Sequence, residues 1–363
     1  MHNKMYAAIV GCGHISNIYL QNLTTRFPNL EVVACCDVAV ERAQERASQY
    51  GIEARTYEDV LADPAIDMVI VLTPAPIHYS LIKQGLLAGK HVYTEKTMTI
   101  DLAQAKELAA IAKEKRLYLG SAPDTFMGAA YQKARQLIDS GAIGQVTSFA
   151  VCINRCLDRL TSMFPFLRMP GGGICYDFGV YHLTALVSLL GPMQQVCAVV
   201  ENKKPIRTNC IEGNPEFGKT YSYENEAQVT AILRTESGIT GSLMLNGESI
   251  RQDLTMIRIY GTEGVLQLPD PNNFGGDVVL IRSRDDQQVI ANELPFADNS
   301  RGLGPSEMVS AILEGRQNCA ASELAVHVLD VIECMMESSK TAAFMKVPTT
   351  CNRPEPLNPQ KLL

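Results

Sequence analysis

Tryptophan is absent from this 363-residue chain, and aromatic residues make up only 6% of it. The largest aromatic stacking platform is therefore missing, and Tyr131, Tyr176 and Phe126 are left to substitute for it. There is no excess of basic residues either: 32 Lys and Arg stand against 39 Asp and Glu, for a formal net charge of −7. An acidic chain without basic runs has no electrostatic footprint for a phosphate backbone, which excludes nucleic acid as an expected partner. Cysteine is plentiful, at eleven residues, but the count is odd, no C-x-x-C pair occurs, and Cys35-Cys36 sit inside an apparent buried strand. That pattern excludes a disulfide framework, and no His/Cys/Asp/Glu grouping has the spacing of a metal site. Met1-His2-Asn3-Lys4-Met5 runs directly into a strand, so no leader is expected and the reducing cytoplasm is the expected location. The longest uncharged run, Phe178 to Val200, reaches membrane-spanning length. It is broken by His182, Gly191-Pro192 and Gln194-Gln195, so it reads as a helix, a break and a strand, and no membrane is expected.

What remains is an ordinary globular mix, 46% hydrophobic and 20% charged, with a length that suits two domains. The first third alternates strands and helices. The pattern predicts strands at 5–10, 31–36, 68–72, 91–94 and 117–120, with helices at 16–26, 40–50, 77–88 and 102–115. Strands separated by single helices imply a doubly wound parallel sheet. From about Gln145 the rhythm changes: one helix near 178–190 precedes successive strands with period-two alternation, and two late helices follow near 306–314 and 323–336. The expected architecture is α/β: a Rossmann domain over 1–121, then an α+β domain over 122–363 with a large, mainly antiparallel open-faced sheet and an extended Pro-rich tail.

Gly11-Cys12-Gly13-His14-Ile15-Ser16 follows the first strand and opens the first helix. In that context Gly11 makes the tight turn, Gly13 admits a pyrophosphate to the helix N-terminus, and Ser16 is small enough for close packing. Asp37, ending the second strand, is placed to bond the ribose hydroxyls, to cap the following helix, or both. Its charge repels a 2′-phosphate and favours NAD over NADP, although Arg42, five residues on, is suited to accept one. Thr73-Pro74 with His78, and Glu95-Lys96, follow later core strands at the carboxyl-end edge where such sheets bind ligands.

The succession G-C-G-H-I, D-x-x-x-x-R, T-P-x-x-x-H, E-K and G-G-G-x-x-x-D-x-G-x-Y resembles the Gfo/Idh/MocA family of NAD(P)-dependent sugar and polyol oxidoreductases. The resemblance runs from Tyr6 to about Val347. Two departures stand out: the family's E-K-P is Glu95-Lys96-Thr97 here, and the histidine often found four residues after the motif aspartate is replaced by Tyr181, with His182 next to it. The resemblance implies NAD, held by Gly11, Cys12, Gly13, His14, Ile15, Asp37, Arg42, Thr73, Pro74, His78, Glu95 and Lys96. It also implies homo-oligomers.

Gly171-Gly172-Gly173 leads into Asp177, Gly179, Tyr181 and His182 at the start of a helix. Alone, these read as a glycine loop, a capping aspartate and a core tyrosine. With Lys96 arriving from the other domain they read as a site for alcohol oxidation. Asp177 and Tyr181 share a helix face, whereas His182 needs an irregular first turn to join them. An ordinary lysine, with pKa near ~10.4, is too strongly basic at neutral pH, but burial and an oxidised nicotinamide disfavour its charged form. Lys96 is then expected to contact the reacting oxygen, Asp177 to bind substrate or orient its neighbours, and Tyr181 or His182 to complete a proton relay. Asp124, Phe126, Arg155, Arg168 and Tyr176 are the expected substrate contacts, with Arg159 nearby. The expected substrate is a pyranose or glycoside oxidised at one ring hydroxyl, C3 being the candidate; if NAD stays bound between turnovers, as in some relatives, hydride is relayed between two sugars. The alternatives are a dehydrogenase of a non-sugar alcohol such as a dihydrodiol, or a non-catalytic NAD-binding regulator. The second-domain sheet, with helices expected on one face, should bury the other against a second subunit.

Overall fold

The protein is described by a computed structural model covering residues 4–250 and 255–362. Met1-His2-Asn3, which enter the expectation of no leader, lie outside them. The chain forms two compact units: unit 1 is Met1–Met127, Asp298–Val326 and Pro354–Leu363, and unit 2 is Gly128–Ala297 and His327–Arg353. The expected boundary at 121/122 lies just inside unit 1, and two later segments return to that unit.

Unit 1 holds β1 (Met5–Val10), α1 (Ser16–Thr25), β2 (Leu30–Cys36), α2 (Val40–Tyr50), β3 (Glu53–Ala54), α3 (Tyr57–Ala62), β4 (Met68–Val71), α4 (His78–Leu87), β5 (His91–Thr94), α5 (Leu102–Lys115) and β6 (Leu119–Ser121). Every strand pair is parallel, in the order β3-β2-β1-β4-β5-β6. Apart from the exposed Tyr6, the apolar runs of β1 and β4 are buried on both faces, as helix-covered parallel strands must be. The short α3 was not expected; Thr56 caps it by accepting the Asp59 N–H. Val10 pairs with both Cys36 and Val71, and Val71 pairs with Thr94. The residues after these four strand ends therefore share one edge, at the point where the strand order reverses.

Unit 2 opens with α6 (Ala129–Asp139), a helix the sequence pattern did not reveal. Then follow β7 (Val146–Asn154), α7 (Leu157–Met163), α8 (Val180–Leu190), β8 (Met193–Glu201), β9 (Ile206–Thr208), β10 (Thr220–Ser222), β11 (Gln228–Thr235), β12 (Thr240–Asn246), β13 (Met256–Gly261), β14 (Val265–Leu268), β15 (Val278–Ile281) and β16 (Gln287–Ile290). After them come α9 (Leu303–Glu314), which lies in unit 1, α10 (Ser322–Thr341) and β17 (Met345–Lys346). The main sheet of unit 2 has nine strands, β16-β15-β14-β13-β7-β12-β11-β8-β17, antiparallel except for the β7–β12 pair. Strict alternation along β11 and β12 buries Val229, Ala231, Leu233, Leu243 and Leu245. The opposite face carries Val199, Ile232 and Met244, all exposed. No helix among the described residues is long and apolar enough to cross a membrane.

Candidate active site

At the edge of unit 1, Gly11 takes φ +101°, and a Cβ there would lie 2.8 Å from Thr73 Cγ2. Backbone conformation and close approach both demand glycine. Its N–H donates to the Cys36 carbonyl at 2.9 Å. A Cβ on Gly13 would meet nothing within 4 Å, so the space beside its backbone is open. Ser16 is fully buried and its hydroxyl donates to Gly13 O at 2.7 Å, closing the turn. Cys12 is buried with the turn, while His14 is exposed and Ile15 half-buried.

Asp37 anchors this loop. Its Oδ2 accepts the Cys12 N–H at 2.8 Å, and its Oδ1 accepts from the Ala39 N–H at 2.8 Å and from Arg42 Nη2 at 2.7 Å. Burial alone would raise the carboxyl's pKa; the Ala39 amide, the Arg42 guanidinium and the Cys12 amide reverse that and hold it below its ordinary value. Arg42 is thus ion-paired with Asp37.

At the ends of β4 and β5, the fully buried His78 ring lies between two carbonyls, Thr97 O at 2.7 Å from Nδ1 and Thr73 O at 2.6 Å from Nε2, and as a neutral ring donates to one of them. Which nitrogen carries the proton depends on the tautomer. Burial pushes the ring below the usual histidine pKa. Enclosed in this way, His78 positions the Thr73 and Thr97 segments and presents nothing to a ligand itself. Pro74 is exposed, and the buried Oγ1 of Thr73 has no hydrogen-bond partner. Glu95 accepts the Tyr19 hydroxyl at 2.8 Å and the Lys96 N–H at 3.1 Å, tying the end of β5 to α1. Lys96 follows, half-buried, and the Lys96–Thr97 peptide is cis. Open space at Gly13 and an orphaned hydroxyl at Thr73, both on the switch-point edge, suit a dinucleotide.

Two residues expected at the substrate are elsewhere. Asp124 is enclosed in unit 1, where its Oδ2 accepts the Gly304 N–H at 2.9 Å and burial pushes its carboxyl up to about 6. Phe126 is likewise buried, 2% exposed. Neither reaches a solvent-facing cleft, because the chain turns inward after β6 to meet the start of α9.

In unit 2, the glycine loop is dictated by packing. Gly171 has φ +84°. A Cβ on Gly172 would lie 2.1 Å from Leu167 O, and one on Gly173 would lie 2.0 Å from both carboxylate oxygens of Glu226. The irregular turn that His182 requires is present as one π-helical turn, Cys175–Gly179, running into α8. π turns of this kind are frequent at functional sites. Asp177 and Tyr176 are half-buried on it, Asp177 N–H donates to Gly173 O at 2.8 Å, and Tyr181 is buried on α8. His182 is also buried; its Nδ1 lies 3.0 Å from Phe178 O and its buried Nε2 has no partner. Burial, aided by Arg155 and opposed by Asp270, lowers its pKa to about 4, so the ring is neutral at physiological pH.

The arginines are already engaged within the unit. Arg155 pairs with Asp270 at 2.5 Å and lies over the Phe178 ring at 5.0 Å. Arg168 donates to Thr161 O at 2.9 Å, pairs with Glu216 and stacks on Tyr221 at 3.8 Å. Arg159 is exposed. Tyr131 is buried with its hydroxyl on Pro269 O, so of the three aromatics expected to replace tryptophan only Tyr176 retains exposure. Sequence reading missed Glu226, a buried carboxyl whose pKa is pushed up to about 7 by burial and then by Asp177. Nothing in Asn225-Glu226-Ala227 marks it; the signal is Gly173, whose missing side chain makes room for it. Among the described residues no three His, Cys, Asp or Glu side chains gather where a metal could sit.

Comparison with known proteins follows the same division. Residues 5–122 match the oxidoreductase family with an NAD-binding Rossmann fold, and residues 131–267 match the Gfo/Idh/MocA C-terminal domain. The scyllo-inositol 2-dehydrogenase (NAD(+)) of Bacillus subtilis is 31% identical over 266 residues, covering 73% of each chain. An uncharacterized oxidoreductase of Schizosaccharomyces pombe is 29% identical over 203 residues, and there the match spans about half, 55%, of either chain. The fold of levoglucosan dehydrogenase in its apo form superposes with a TM-score of 0.82 over 96% of this chain and all of that one, at 18% identity. The matching domains, their order and the glycine turn at the switch point place this chain in the Gfo/Idh/MocA oxidoreductase family, with an NAD-binding Rossmann domain over its first third.

Proposed function

We propose that the protein oxidises a secondary ring hydroxyl of a sugar, glycoside or polyol, passing the hydride to NAD and releasing a keto product and a proton. The observation that carries this reading is the switch-point edge of unit 1, where the Gly11–Gly13 turn, the unpartnered Thr73 hydroxyl and Lys96 follow the ends of β1, β4 and β5. The name of the Bacillus subtilis relative, an inositol dehydrogenase using NAD, supports a cyclic polyhydroxy substrate.

Gly11, Gly13 and Thr73 would hold the dinucleotide, with Asp37 fixing the turn. The buried, amide-bonded Asp37 carboxylate keeps negative charge at the end of β2, which supports NAD over NADP. Bound NAD supplies the hydride acceptor. Lys96 contacts the hydroxyl oxygen and takes its proton, Asp177 binds or orients substrate, and Tyr181 carries the proton onward. His182, neutral and enclosed, supports the turn. In keeping with the family resemblance, C3 of a pyranose is the favoured position, and a 3-keto product acidifies its neighbouring C–H for a later elimination.

The open face of the unit 2 sheet supports self-association. Val199, Thr230, Met244, Cys152 and Met256 form one outward row across five strands, and a second copy is the natural cover for it. Eleven free thiols support a reducing, cytoplasmic setting. The decisive experiment is a panel of glucosides, free sugars and inositols, with and without a keto-sugar acceptor, products being identified by NMR. A ring ketone from any of them supports the reading; oxidation of dihydrodiols alone, or of nothing, replaces it with one of the alternatives.

A further inference from the structure

Glu226 lies just before β11, half-buried as a residue but with its carboxyl drawn away from solvent, and among the described residues no cation pairs with it. An unpaired buried carboxylate is costly unless backbone donors hold it. Here they do. The Glu226 carbonyl accepts the Ile174 N–H at 3.1 Å, and Oε1 accepts the N–H groups of Cys175 at 2.9 Å and Tyr176 at 3.4 Å. Three successive amides at the start of the π turn, which the turn itself leaves without acceptors, thus end on one residue. The next amide, that of Asp177, closes on Gly173 O. Gly173 leaves the room: any side chain there would occupy the space of the Glu226 carboxylate.

We propose that Glu226 is the positioning residue for Asp177, its ionised carboxylate fixing the π turn and hence the direction in which Asp177 is presented to substrate. This rests on the catalytic reading of Asp177 given above. The groups facing Glu226 are Asp177, the Cys175 thiol and the Tyr223 phenol. Tyr223 donates to Gly172 O at 3.0 Å, and its ring lies beneath the Arg207 guanidinium. Arg207 is itself engaged by Asp158 and Glu248. With no countercharge, the Glu226 carboxyl titrates near neutrality, at about 7. As pH falls through that point the charge-assisted bonds to Cys175 and Tyr176 weaken, and Asp177 loses its fixed aim.

The test compares Glu226→Gln, which keeps the shape and one acceptor, with Glu226→Ala. In the wild type kcat should show an acid limb near the Glu226 value. Glu226→Gln should lose that limb and sit about tenfold lower on the alkaline plateau, with the KM for NAD unchanged. Carboxyl NMR of Asp177 in the free protein gives a readout independent of substrate: a second inflection near neutrality in the wild type, absent in Glu226→Gln. If no sugar or polyol is oxidised but that inflection is present and lost in the variant, the anchor stands and the assigned reaction falls. If Glu226→Gln reproduces the wild-type rate profile, or if Asp177 titrates identically in both proteins, the proposal is overturned. Glu226→Ala, should it fold, must lose more activity than Glu226→Gln; equal activity also overturns it.

Discussion

The two units handle polar residues in opposite ways. In unit 1 the motif residues stand where parallel strands end, and each is held from behind. Asp37 grips the Cys12 amide, Glu95 the Tyr19 hydroxyl, and His78 the Thr73 and Thr97 carbonyls. The open space at Gly13 and the free Thr73 hydroxyl are left in front. In unit 2 the expected arginines and histidine already have partners within the unit, although His182 Nε2 and one Arg168 nitrogen are left without any. Arg155 is on Asp270, Arg168 on Tyr221 and Glu216, and His182 is beside the Phe178 carbonyl. A parallel sheet with a reversal of strand order tells in advance which edge binds; an antiparallel sheet carries no such rule.

The sharpest way to break this contrast is to add a methyl group to one glycine in each unit. Gly173→Ala drives a Cβ to 2.0 Å from the Glu226 carboxylate; it should abolish turnover and lower Tm by several degrees, with NAD binding retained. Gly11→Ala combines a left-handed φ with a 2.8 Å contact, a cost of roughly 1–3 kcal/mol. It should instead weaken NAD binding at least ~10-fold. Calorimetric titration and thermal melts separate the two; the reverse pattern would undo the division of labour.

Next in size, Lys96→Ala should reduce hydride transfer about 100-fold or more, the loss expected of an acid/base group, without changing the NAD dissociation constant. Wild-type turnover in that variant removes Lys96 from the chemistry. Asp37→Ala frees the Cys12 amide and takes the charge from the end of β2, so NAD affinity should fall about tenfold while NADP affinity changes less. Equal losses for both cofactors would make Asp37 an anchor of the turn alone.

These contrasts explain what the sequence revealed. Strands 5–10 and 91–94 and helices 40–50 and 102–115 match their predicted bounds. Apolar runs, glycine turns and the caps punctuate them cleanly. The switch-point residues were legible because topology places them. Helix α6 and the β9–β10 hairpin were not, and neither were the enclosed positions of Asp124 and Phe126, since what buries them comes from remote segments. Gly304, the partner of Asp124, is 180 residues away. Glu226 was invisible for the same reason: its partners at 174–176 lie about fifty residues earlier.

A smaller effect concerns acid stability. His182 has a folded pKa of about 4, below its unfolded value near ~6.5. The folded state therefore holds fewer protons in that window, so stability is full above the unfolded value and declines as pH falls toward the folded one. Replacing the ring, as in His182→Leu, should flatten this decline in melts followed against pH. An unchanged slope would mean that His182 is protonated in the folded protein. Smallest for catalysis but plain for assembly, Ile232→Lys together with Met244→Glu on the open sheet face should convert an oligomer into monomers by light scattering. A monomeric wild type would contradict the assembly proposal.

The central claim is that a ring carbinol hydride passes to NAD with Lys96 handling the proton. The direct measurement uses an inositol and a glucoside deuterated at the reacting carbons, with NMR reading deuterium on the nicotinamide for wild type and Lys96→Ala. The account predicts label on the nicotinamide with at least one of these substrates, slowed about 100-fold in the variant. Label that never reaches the nicotinamide, or that reaches it equally fast without Lys96, would contradict it.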